Sequence, residues 1–120
     1  MQPLDTLISA AKRDHRHIVL AEGADPRIAE AAVRAEADGL ARITLIGARD
    51  EVWTALKNAG GARSNLGIID PATAALCDDF QERYFTLRAH KGISRAQARF
   101  SVRDPLVFAA MMVREGLADG

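Results

Sequence analysis

The chain has 120 residues, 48% hydrophobic and 27% charged, the balance of an ordinary globular domain long enough to bury a core. Its 16 Lys and Arg offset its 16 Asp and Glu, which excludes the global charge that nucleic acid or a membrane surface would select, so any anion site must be local. The single cysteine, Cys77, has no internal disulfide partner, the start carries no basic segment followed by an apolar one, and the longest apolar run, PLVFAAMMV at 105–113, falls far short of the ~20 residues of a membrane span. The expectation is a cytoplasmic protein.

Leu4, Leu7, Ile8 and Ala11 fall on one stripe and predict an amphipathic helix over 4–13. HIVLAEG, 17–23, is a short apolar run closed by Glu22-Gly23 and predicts a buried strand followed by a turn. In DPRIAEAAVRAEADG, Asp25 is a suitable N-cap, Pro26 fits the first helical turn and Gly39 can end the helix. RITLIG predicts a second strand, RDEVWTALKNAGG a second crossover helix and LGIID, 66–70, a third strand. Asp70-Pro71 and Asp104-Pro105 repeat the Asp-Pro start signal. Between them the sequence predicts a long helix over about 74–90 and a shorter one from Ser94, where Ser94 and Gln97 can form a capping box. The last helix, from Pro105, is apolar nearly all round and is expected to be buried on several sides. The closing ADG looks like a lead into another strand.

Strands alternating with helices give a parallel α/β sheet with right-handed crossovers and helices on both faces, a three-layer α/β/α arrangement. Several chemistries are unsupported. No G-x-G-x-x-G, no phosphate-loop motif and no G-x-S-x-G is present, and the turn after the first strand is acidic, which repels phosphate. His15, His17, His90 and Cys77 lack zinc spacing, so no metal site is assigned. Aromatic residues are few and not interleaved with basic ones, against nucleic-acid stacking.

LRAHKG, 87–92, gathers Arg88, His90 and Lys91 ahead of Gly92. Basic residues suit a helix end, where the last carbonyls and the negative end of the dipole favour cations and a glycine closes the helix. The competing reading is an anion site: Arg88 and Lys91 are three apart, share a helix face, and offer a guanidinium fork and an ammonium to a phosphate group. Glu22 and Asp25 lie just past the first strand, at the ligand edge of an open α/β sheet. Helix capping by Asp25, a turn carboxylate at Glu22 and neutralisation by Arg27 account for them without a ligand. Cys77, beside Asp78 and Asp79, is expected to be structural, and Met111-Met112 to be core.

IVLAEGADPRIAEAA resembles the opening strand and helix of phosphate acetyltransferases, where LPEG-x-D-x-R is typical. DGLARITLIG, IIDPAT, YFTLRAHKGISRAQAR and DPLVFAAMMVREGLADG resemble, in the family's order, its second strand, third strand and turn, Y-x-L-R-x-H-K-G helix end and buried helix. Phosphate butyryltransferases share much of this scaffold. The resemblance implies reversible transfer of acetyl from acetyl-CoA to phosphate, giving acetyl phosphate and CoA. CoA and acetyl-CoA act as substrates, with no metal or redox cofactor and no nucleic-acid or membrane partner. It also implies a two-domain α/β/α enzyme, commonly a homodimer, with its active site between the domains. It makes Arg88 a substrate-binding residue, with His90 and Lys91 in the same motif, and assigns no catalytic residue within 1–120. Ala21 stands where the family usually has proline. The family also runs well over twice as far, with its second phosphate-binding arginine and its catalytic serine and aspartate in that further part. Residues 1–120 are therefore expected to be the N-terminal region of a phosphate acetyl/butyryl transferase domain, inactive alone. The alternatives are a phosphate butyryltransferase and a shortened, non-catalytic module that binds CoA, phosphate or a partner chain.

Overall fold

A computed structural model describes residues 3–13, 15–62 and 64–120. Three short strands alternate with six helices: α1 (Pro3–Arg13), β1 (His17–Leu20), α2 (Pro26–Ala37), β2 (Arg42–Ile46), α3 (Arg49–Asn58), β3 (Gly67–Ile69), α4 (Leu76–Arg88), α5 (Arg95–Val102) and α6 (Pro105–Arg114). The strands pair in parallel in the order β1-β2-β3, with Ile18 opposite Ile43 and Leu45 opposite Ile68. Asp119 N–H donates to the His17 carbonyl and Val19 N–H to the Gly120 carbonyl, both at 2.8 Å, so the backbone at 119–120 runs along the outer edge of β1.

A parallel sheet needs cover on both faces, and the period of two in β2 divides the core accordingly. Ile43 and Leu45 pack with Ala29 and Ala32 of α2 and Val52, Ala55 and Leu56 of α3. Ile46 packs on the other face with Phe80 of α4, Val102 of α5 and Phe108, Met111 and Met112 of α6. The result is the expected three-layer α/β/α arrangement. The two buried phenylalanines meet edge-on, with ring centroids 4.9 Å apart at 61°, a favoured aromatic geometry.

One polar group sits in this core. Thr44 is buried, and its hydroxyl lies 2.8 Å from His17 Nε2, while His17 Nδ1 lies 3.0 Å from the Leu117 carbonyl. A carbonyl only accepts, so in the neutral ring Nδ1 carries the proton and Nε2 accepts from Thr44. Asp119 completes the clamp by accepting from His17 N–H at 2.7 Å. Gly67, opposite Thr44, leaves the space: an added Cβ would stand 3.0 Å from the threonine hydroxyl.

Several expectations shift in detail. Helix α1 forms, yet Leu4 and Leu7 are 65% and 67% exposed, so its stripe is not a buried face. Asp70-Pro71 does not open a helix directly. The Asp70 carboxylate accepts from Ala72 N–H at 2.9 Å and from Arg49 N–H at 3.2 Å, so it closes its own turn and serves the start of α3, whose N-cap Ala48 has no side-chain acceptor. Helix α4 begins six residues later and stops at Arg88, giving way to a 3₁₀ turn over Ala89–Lys91. Helix α6 buries Phe108, Ala109, Met111 and Met112 but leaves Leu106 and Val113 exposed, so only part of its apolar circumference is covered.

Truncation of Phe108 to alanine removes the ring contact and leaves a cavity beneath α6. Phe108→Ala is expected to destabilise the fold by about 3–5 kcal/mol, read as a lower urea midpoint with native secondary structure retained before the transition.

Candidate functional site

Arg88 is the last residue of α4, exposed, with its guanidinium 5.7 Å from the centre of the Tyr84 ring, within cation–π reach. His90 and Lys91 follow in the 3₁₀ turn, and Gly92 closes it with φ of +74°, a left-handed conformation suited to glycine. The Ser94–Gln97 capping box starts α5, and Arg95 binds the Glu82 carboxylate at 3.2 Å while stacking 4.6 Å from the Phe85 ring, which fastens α5 to α4. Arg88 lines a cleft of about 440 Å³ between α4 and α6. Tyr84, Leu87 and Arg88 form one wall, at helical spacing; Leu106, Val107, Ala110, Met111 and Arg114 form the other. No carboxylate lines it, and among the described residues neither Arg88 nor Arg114 has an ion-pair partner. The structure therefore does not gather the three basic residues of LRAHKG into one site. It places Arg88 in the cleft and leaves His90 and Lys91 exposed outside its lining.

Leu106 also lines a neighbouring cleft of about 510 Å³ at the carboxyl end of β1, with Leu20, Ala21, Glu22, Ile28 and Asp104. Asp104 is engaged as the N-cap of α6, accepting from Leu106 N–H at 2.9 Å. Glu22 thus does stand at the ligand edge, in an acidic cleft separated by Leu106 from the arginine-lined one. Cys77 is half-buried against the core, and both methionines are buried in it. Among the described residues no group of three or more His, Cys, Asp or Glu side chains is placed to hold a metal ion, and no helix is long and apolar enough to cross a membrane.

The model of the phosphate acetyl/butaryl transferase family matches residues 3–120. The chain belongs to this family. It is 42% identical over 120 residues to a phosphate acetyltransferase from Paracoccus denitrificans, covering all of this chain and 34% of that protein. A phosphate acetyltransferase from Thermoanaerobacterium thermosaccharolyticum is 35% identical over 120 residues, with 36% of its length covered. The crystal structure of a phosphotransacetylase from Streptococcus pyogenes superposes with a TM-score of 0.85 at 30% identity, over 99% of this chain and 37% of that one. The chain thus spans about a third of the length of the relatives it matches.

Within this family member, sequence reading found Arg88 but missed Arg114 and Tyr84. Tyr84 stands four residues before Arg88 on one helix face, a spacing that marks a neighbour. Arg114 lies 26 positions further along, and only the packing of α6 on α4 brings it to the cleft.

The turn into α2 carries the one clear electrostatic shift. The hydrogen bond from the Arg27 guanidinium, assisted by Arg27 N–H, holds the Asp25 carboxyl below its usual range. Solvent exposure keeps the effect small. A depressed carboxyl pKa stabilises the fold fully above the ordinary aspartate value of ~3.9, and that stabilisation is lost as pH falls through the depressed value. In Arg27→Ala the stability deficit against wild type is therefore expected at neutral pH and should close below about pH 3. Urea titrations across that range check it; a deficit independent of pH would assign Arg27 a purely non-electrostatic role.

Proposed function

We propose that residues 1–120 are the N-terminal region of an acyltransferase that interconverts acetyl-CoA plus phosphate with acetyl phosphate plus CoA. In the forward direction a phosphate oxygen attacks the thioester carbonyl carbon, the tetrahedral oxyanion collapses, the C–S bond breaks and the CoA thiolate leaves to take a proton. Two polyanions must approach one another, so cationic groups have to offset their repulsion before the oxyanion can be stabilised. Arg88 is the binding cation of this region. The observation that carries the reading is its exposed guanidinium in a cleft without a carboxylate, within a motif that resembles the family's. His90 and Lys91 belong to the same motif and take a weaker, peripheral part in binding. No residue here is assigned to the chemical step, so the chain alone binds substrate without turning it over.

The whole enzyme is proposed to work in the cytoplasm as a homo-oligomer, with no metal or redox cofactor in the chemistry. Exposed Leu4, Leu7 and Phe100 support self-association. Acetyl is preferred over butyryl because the relatives at 42% and 35% identity are named acetyltransferases.

The test is calorimetric titration of the chain with CoA, beside an assay of acetyl phosphate formation. CoA binding without turnover is expected, weakened about tenfold in Arg88→Ala, as loss of one charge-assisted contact implies. Unchanged binding in that variant would remove Arg88 from the site, and turnover by the chain alone would show that the catalytic groups lie within it. Light scattering at high concentration is expected to show more than monomer, and a strictly monomeric chain would count against self-association.

A further inference from the structure

We infer that Arg114 is a second ligand-binding residue, and that the groove it shares with Arg88 takes an elongated anion carried on an apolar body rather than a free orthophosphate. This rests on the reading of Arg88 given above. Both arginines end helices, Arg88 that of α4 and Arg114 that of α6. A helix end by itself explains one cation, since its last carbonyls carry a partial negative charge. The sum decides the matter: two helix ends contribute about −1 and two guanidiniums about +2, which leaves about one positive charge unmatched in the groove. No lining carboxylate takes it up.

Length and wall chemistry then select the ligand class. The groove follows α6 from Leu106 to Arg114, eight residues and so about 12 Å along the helix axis. One phosphate group cannot reach both ends. Between them lie Leu87, Val107, Ala110 and Met111, and Leu106 stands 70% exposed at the far end. Such a surface gains from being covered by hydrocarbon. A ligand with phosphate groups at one end and an extended, weakly polar arm satisfies both halves, the arginines holding the phosphates and the leucine end holding the arm. Arg114 suits this task better than a lysine would, because its planar fork can share two phosphate oxygens.

The experiment is calorimetric titration of the 120-residue chain with two probes, CoA and orthophosphate, in wild type, Arg88→Ala, Arg114→Ala, Arg114→Lys and Arg103→Ala. Arg103 is exposed and outside the groove lining, so it controls for general charge. CoA is expected to bind more tightly than orthophosphate. Arg114→Ala should weaken CoA binding about tenfold, Arg114→Lys should recover part of that loss, and Arg103→Ala should match wild type. Circular dichroism establishes that each variant is folded. Wild-type CoA affinity in Arg114→Ala, with a loss in Arg88→Ala, overturns the role of Arg114 and leaves the reading of Arg88 standing. Wild-type affinity in both variants, or no CoA binding by the wild-type chain, overturns that reading and the inference with it. Orthophosphate binding as tight as CoA overturns the elongated-ligand assignment.

Discussion

The edge-to-face contact of Phe80 with Phe108 sets the relation between α4 and α6, and the arginine-lined groove depends on that relation. Neither helix has a sheet strand of its own to fix it, since the chain has only three strands and both helices share one face. Two buried aromatic rings at 4.9 Å leave little freedom of slide or rotation, because their quadrupoles favour the edge-on arrangement and the surrounding Ile46, Val102 and Met112 fill the remaining space. With the buried faces pinned, the opposite flanks of the two helices are fixed as well. Tyr84, Leu87 and Arg88 then face Leu106, Ala110 and Arg114 across open space.

The opposite edge of the fold is held by polar contacts. His17 satisfies the buried Thr44 hydroxyl through one ring nitrogen and the Leu117 carbonyl through the other, and its backbone N–H is taken by Asp119. A buried hydroxyl without a partner is costly, so this arrangement couples the interior of β2 to the backbone after α6. The same contacts draw residues 119–120 along β1, whose outer edge would otherwise present unpaired groups. The N- and C-terminal parts of the described chain thereby meet at the sheet edge, and α6 is anchored at its far end as well as through Phe108.

The clefts on either side of Leu106 differ in charge for reasons that lie in secondary structure. The acidic one is bordered by Glu22, in the turn after β1, and by Asp104, the N-cap of α6; capping selects carboxylates at helix starts. The basic one lies where α4 and α6 end, and helix ends select cations. Ordinary helix electrostatics thus supplies the raw material of a bipolar surface. The excess positive charge of two unpaired guanidiniums is what exceeds that background. Family membership, shared over residues 3–120, gives this surface its context.

The sequence by itself determined the order and kind of elements, because each signal is local. Period-two alternation marks β2, the Asp-Pro pairs at 25–26 and 104–105 mark the starts of α2 and α6, and the Ser94–Gln97 box marks α5. It also singled out Arg88, through a motif compressed into six residues. The tertiary structure decided what depends on distance across the chain. The Asp70 carboxylate turned out to serve α3 rather than to open α4, since its acceptor oxygens are shared with Arg49, 21 residues earlier. His90 and Lys91 were separated from Arg88 because α4 tightens into a 3₁₀ turn there. Arg114 joined Arg88 only through the packing of two apolar helix faces. Helix periodicity reveals which residues share a face of one element, but which two faces meet is fixed by how buried side chains such as Phe80 and Phe108 fit.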